Sequence, residues 1–199
     1  NRFGVEGHSA RFDGAQTVDL QAPLLPFAEQ FSIAFWAKTE TLDGYREFLH
    51  QNPWPNAMYI GTKPSSGEIR IGDDWQNTGV IVPLGEWFHL ALIRSDNNAV
   101  LYINGEAAAS KGSELQISSN VQNMVLGKQY GGNAEYLVGN LDELGVWGRA
   151  LNVQEVQSLF AGTPIEEGCL DTAACNYDPD ANVDDGSCHF NCQFCLTGT

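Results

Sequence analysis

Asp178, Asp180, Asn182 and Asp184 carry side-chain oxygens at alternate positions. Calcium takes about 6–8 oxygen ligands at ~2.3–2.6 Å, and a 1-3-5-7 spacing wraps a short loop around one such ion. Asp171 and Asp185 are available to complete the shell. The loop departs from an EF-hand, because no bidentate Glu stands at its twelfth position. The competing reading is a solvated acidic turn held by disulfides. All five cysteines, Cys169, Cys175, Cys188, Cys192 and Cys195, follow Gly168. Cys192-x-x-Cys195 has a zinc-like spacing but lacks a second complete pair, so disulfides are expected. An odd count leaves a free thiol, a truncated repeat or a partner outside this stretch, and the connectivity stays open.

A second chemistry is sugar recognition. Sugars offer apolar C–H faces to aromatic rings and hydroxyls to carboxylates and amides. Trp54 lies between two prolines, Trp75 follows Asp73 and Asp74, and Tyr130 precedes Gly131, Gly132 and Asn133. These aromatics fall off the strong strands, which makes Trp54, Asp73, Asp74, Trp75, Tyr130 and Asn133 the candidate ligand-binding set. The alternative is that they pad the rim of the fold. His8, His50, His89 and His189 have no nucleophile motif around them, and His89 reads as a packed core histidine. No catalytic residue is assigned, and an enzyme is not expected.

The elements that must hold these residues are mostly short strands separated by turns, the pattern of a sandwich or barrel. In Phe31–Lys38, Phe31, Ile33, Phe35 and Ala37 share one face and Trp36 takes the other, so burial on both sides is expected. Residues 87–94 and 99–103 form a strand pair across a polar turn, and Asn104-Gly105 suits a type I′ hairpin. Further strands are expected at 17–21, 47–51, 58–61, 68–72, 80–82, 124–127 and 139–147. One helix is expected at 153–161, packed on the sandwich. Asn152 and Glu155 make its capping box, Gly162 its left-handed terminus, and Pro164 bars continuation.

Hydrophobic residues are 43% of the chain, enough for a full core, and no apolar run approaches the ~20 residues of a membrane helix. The formal net charge is −15, of which −7 belongs to residues 166–199, a stretch without Lys or Arg. Such acidity opposes nucleic acid and anionic lipid at long range. The cysteine and charge break divides the chain into domains 1–165 and 166–199. The second is too short for a core and relies on staples, which implies an oxidising compartment. Asn1-Arg2-Phe3-Gly4 reads as internal to a longer polypeptide, so further domains of the same chain are expected partners.

Four segments together resemble the laminin-G-like jelly-roll family of the concanavalin-A-like lectin/glucanase superfamily. They are Arg2-Phe3-Gly4 with Ala10-Arg11-Phe12-Asp13-Gly14; Phe31–Lys38; Trp87-Phe88-His89-Leu90-Ala91 running to Tyr102-Ile103-Asn104-Gly105; and Gly139-Asn140-Leu141-Asp142-Glu143 with Val146-Trp147, Arg149-Ala150-Leu151 and Glu155. The resemblance implies an all-β, two-sheet antiparallel jelly-roll sandwich with one short C-terminal helix, to which the residues after 165 add a small disulfide-rich calcium-loop tail. It also implies a structural calcium at Asp142, shared more weakly with Asp13 and Gly14. The E-x-D-x-x-E strand of the related glucanases has no counterpart here. Gly168–Cys188 is similar to a Cys/Asp-rich repeat of secreted Bacteroidota proteins. The expected function is therefore a non-catalytic glycan-binding or adhesion module of a secreted or cell-surface protein, taking a glycan or cell-surface ligand. The alternatives are a structural spacer, or an accessory domain of a polysaccharide-active enzyme. No nucleic-acid partner and no membrane insertion are expected.

Overall fold

The computed structural model describes residues 9–25, 30–53, 55–72, 74–113, 115, 117, 119, 121–131 and 134–190. Two compact units emerge, Asn1–Leu151 and Asn152–Thr199. The described strands of the first are β1 (Ala10–Asp13), β2 (Val18–Asp19), β3 (Phe31–Thr39), β4 (Arg46–Gln51), β5 (Met58–Thr62), β6 (Ile69–Ile71), β7 (Phe88–Ser95), β8 (Asn98–Ile103), β9 (Glu106–Lys111), β10 (Met124–Leu126) and β11 (Val138–Trp147). The second unit holds α1 (Val153–Ala161), β12 (Glu167–Gly168) and β13 (Val183–Asp184).

The first unit is the expected two-sheet antiparallel sandwich. One sheet runs β1-β11-β3-β7-β8-β9 and the other β2-β10-β4-β5-β6. Period-two alternation builds the core between them. Phe31, Ile33, Phe35 and Ala37 of β3 and Phe88, Leu90 and Leu92 of β7 share it with Met58 and Ile60 of β5 and Ile69 and Ile71 of β6. Phe48 links the sheets, with ring centroids 5.8 Å from Phe35 and 5.9 Å from Phe88. His89 is buried on the opposite face of β7, 5.4 Å from the Trp36 ring.

The Asn104-Gly105 turn has φ values of 52° and 81°, as a type I′ hairpin requires. It leads into β9, a strand absent from the sequence reading. The expected strand at 80–82 is reduced to an isolated bridge between Glu68 and Ile81. Pro83 follows at once and lacks an N–H with which to extend a ladder.

In the second unit, Asn152 accepts from Glu155 N at 3.0 Å and the Glu155 carboxylate accepts from Asn152 N at 2.6 Å. At the other end of α1, Gly162 adopts φ 78°. β12 and β13 form a short parallel pair. The Cys169–Cys188 disulfide closes the segment between them and beyond. Cys175 is also disulfide-bonded.

Candidate functional site

The alternation that buries one side of the five-stranded sheet turns the other side outward. Tyr59 stands between Met58 and Ile60, and Arg70 between Ile69 and Ile71. β4 breaks the alternation. Its register against β5 shifts between Glu47 and Leu49. Phe48 and Leu49 both enter the core, while Glu47 and His50 both line the outer face. Gly61 makes room for the shift, because a Cβ there would lie 2.3 Å from Arg46 O and 2.8 Å from Glu47 Oε2.

These residues line a cleft of about 310 Å³ with Tyr130, Gly131 and Glu135 from the loop between β10 and β11. That loop is pinned to β4 by Glu47 N donating to Glu135 O at 3.0 Å. Arg70 is the hub of the cleft. Its guanidinium carbon lies 4.2 Å from the Tyr45 ring centroid and 4.7 Å from that of Tyr59. Its Nη2 donates to Glu47 Oε1 at 2.5 Å and also to Glu135 Oε2. Burial opposes the guanidinium charge, but the two carboxylates more than offset this and hold its pKa above the ordinary value. The Tyr59 hydroxyl accepts from Gln76 Nε2.

His50 is 4% exposed, and its ring centroid is 5.0 Å from that of Tyr59 and 6.4 Å from that of Tyr130. Its Nδ1 is 3.9 Å from Glu47 Oε1, beyond hydrogen-bond reach. Burial, joined by the charge of Arg70 and partly opposed by Glu135, lowers the imidazole pKa from 6.5 to about 4. The ring is therefore neutral at physiological pH. His50 Nδ1 and Arg70 Nε are both buried with no hydrogen-bond partner among the described residues. A neutral imidazole nitrogen, an N–H, carboxylates and aromatic faces are together a donor–acceptor set for polyhydroxylated ligands.

Of the ligand residues expected from sequence, the structure brings Tyr130 to this cleft. Trp75 is corrected. It is 7% exposed and belongs to the core, where its backbone bridges to Ile71. Asp74 pairs with Lys111 at 3.0 Å and is not a lining residue of the cleft. Trp54, Asp73 and Asn133, like Cys192 and Cys195, lie outside the described residues. Glu47, His50, Tyr59, Arg70 and Glu135 escaped the sequence reading. A signal lay in Glu47 and Arg70, charged residues within apolar strand patterns.

The expected calcium ligands do not converge. Asp13 pairs with Val138 across the β1–β11 ladder, and Asp142 stands four positions further along β11. That separation is ~13 Å at ~3.3 Å per residue, too far for one ion. Asp13 Oδ1 accepts from Ala15 N at 3.1 Å, and Gly14 N donates to Leu137 O at 3.0 Å. Asp142 Oδ1 accepts from Glu143 N at 3.0 Å. In the second unit, one oxygen each of Asp171, Asp178, Asp184 and Asp185 accepts from the backbone N two residues on. Asn182 is engaged by Glu166 N at 3.1 Å and Pro164 O at 2.6 Å. Among the described residues, no three or more His, Cys, Asp or Glu side chains gather as a metal would need, Asp180 included. The carboxylates thus stand apart here, those of Asp171, Asp178, Asp184 and Asp185 each with one oxygen tied to the nearby backbone.

A family profile described as the concanavalin A-like lectin/glucanases superfamily matches residues 12–157. Human serum amyloid P-component is 25% identical over 172 residues, covering 81% of this chain and 77% of its own length. The golden hamster (Mesocricetus auratus) protein of the same name is 33% identical over 93 residues, only 39% of its length. Domain 4 of AbnA, a GH43 extracellular arabinanase from Geobacillus stearothermophilus solved with arabinotriose, superposes with a TM-score of 0.64 at 25% identity, covering 78% of both chains. The CBM40 of Ruminococcus gnavus IT-sialidase shares the fold, with a TM-score of 0.61 at 18% identity over 77% of this chain and 96% of that one.

Proposed function

The chain belongs to the concanavalin A-like lectin/glucanases superfamily, and from that membership we propose that it is a non-catalytic glycan-binding module of a larger secreted or cell-surface protein, with the His50–Arg70 cleft as its binding site. One observation carries the reading. Two buried polar atoms, His50 Nδ1 and Arg70 Nε, lack hydrogen-bond partners among the described residues, on side chains that line a cleft flanked by tyrosine rings. Leaving such groups unpaired costs stability, and hydroxyls of a bound sugar would restore the missing bonds. The volume sits at the low end of ~300–1,000 Å³ for ligand sites, which suits one or two sugar units of a chain end. The arabinotriose bound to the arabinanase domain supports a glycan ligand. It also favours a second reading within the same chemistry, an accessory domain of a polysaccharide-active enzyme.

No step of the proposed binding is routed through calcium, because the expected calcium-binding carboxylates of the described residues do not gather around one point. A glycan array probed with the full chain, followed by calorimetry on the retained glycans, tests the proposal. Tyr130 is half-buried at a loop tip, so Tyr130→Ala removes a ring from the cleft at little cost to the fold. We expect its Kd to rise about tenfold, the equivalent of ~1.4 kcal/mol, and EDTA to leave affinity unchanged. An array on which no glycan is retained makes the module a spacer or adhesion unit. Unaltered affinity in Tyr130→Ala moves the site elsewhere on the sandwich.

A further inference from the structure

Resting on that reading, we infer that the cleft selects uncharged sugar units and rejects carboxylated and sulfated ones. Recognition of an anionic sugar requires a cationic group whose donors face the ligand. Arg70 is the one Lys or Arg among the described residues lining this cleft. Its guanidinium carbon packs 4.2 Å from the Tyr45 ring centroid and 4.7 Å from that of Tyr59, and its Nη2 is shared by Glu47 and Glu135. The guanidinium is thus outnumbered two to one by carboxylates. An incoming carboxylate would be the third anion around one cation. The imidazole of His50 adds no positive charge at neutral pH.

The same groups suit a neutral polyol. The Glu47 and Glu135 carboxylates accept from hydroxyls, Arg70 Nε–H donates to one, and His50 Nδ1 accepts or donates according to tautomer. Aromatic rings of Tyr59 and Tyr130 receive C–H faces. Specificity then comes from charge exclusion as much as from attraction.

The test uses the full chain on an array of neutral oligosaccharides and their sialylated, uronic-acid and sulfated counterparts, with lactose and sialyllactose as a matched pair. The expected result is retention confined to uncharged glycans, with affinities changing less than twofold between 20 and 300 mM NaCl. Glu135→Gln removes one negative charge from a partly exposed position. It should raise affinity for carboxylated glycans at least tenfold while weakening neutral ones. Circular dichroism establishes that the variant folds, and the salt titration of the unmodified chain decides the matter if it does not. Retention of acidic glycans by the unmodified chain, weakening as salt rises, overturns the inference alone. Retention of no glycan overturns both the inference and the reading beneath it.

Discussion

His50 ties the stability of the sandwich to pH. Its pKa is about 4 in the folded chain and ~6.5 when the chain unfolds. Between those values the unfolded state binds more protons, so stability rises with pH across that window and is lost as pH falls through it. The difference of ~2.5 pKa units corresponds to about 3 kcal/mol. Glu47, Glu135 and Arg70 face the same cleft. Urea denaturation of the unmodified chain and of His50→Gln at pH 7.5, 5.5 and 4 separates the contributions. The unmodified chain should lose more stability on acidification than the variant, and parallel losses would refute the assignment. At this scale the sequence was least legible. Asp-x-Asp alternation satisfies a calcium loop and a run of Asx turns equally well, because each carboxylate can instead bond the backbone two residues on. Trp75 looked like a loop aromatic because no apolar alternation surrounds it, yet its ring completes the core.

The elements were far more readable, since a buried face imposes its period on the residues that form it. β3, β7 and β8 alternate cleanly and stand where the alternation puts them. The capping box and Gly162 bound α1 at Val153–Ala161, as expected. The cleft was not readable, because β4 breaks its own period at Glu47. Gly61 is the residue that permits the break. Gly61→Ala places a methyl against the Arg46 carbonyl and the Glu47 carboxylate, and backbone cannot retreat cheaply inside a sheet. The expected cost is about 1–3 kcal/mol of stability, with glycan affinity falling as Glu47 is displaced. Gly148→Ala, where an added Cβ meets nothing within 4 Å, should stay within ~0.5 kcal/mol. Equal thermal midpoints for the two variants would show that β4 accommodates the methyl.

At the scale of the whole chain, the cysteine- and acid-rich stretch after Gly168 lies within a second compact unit that begins earlier, at Asn152. The first unit is held by its apolar core. The second contains α1 and is held by the Cys169–Cys188 disulfide, a further disulfide at Cys175, Asx turns and a two-residue strand pair. Reduction should therefore destabilise residues 166–190 while leaving the sandwich folded. Chain-entropy reasoning gives about 3 kcal/mol for a loop of this length. Hydrogen exchange with and without reductant measures it, and protection lost across β3 and β7 would contradict this division.

The Cys169–Cys188 bond also sets how the protein behaves under tension. Its sequence separation is 19, and its Cα atoms stand 4.8 Å apart. A pull along the chain passes through the sulfur–sulfur bond and skips the intervening residues. At ~3.5 Å per extended residue, about 60 Å of contour length stays locked in reserve. Single-molecule stretching of the intact chain should reveal that length only after reductant is added. The tail would then serve as a tether whose reach is set by the redox state of its surroundings.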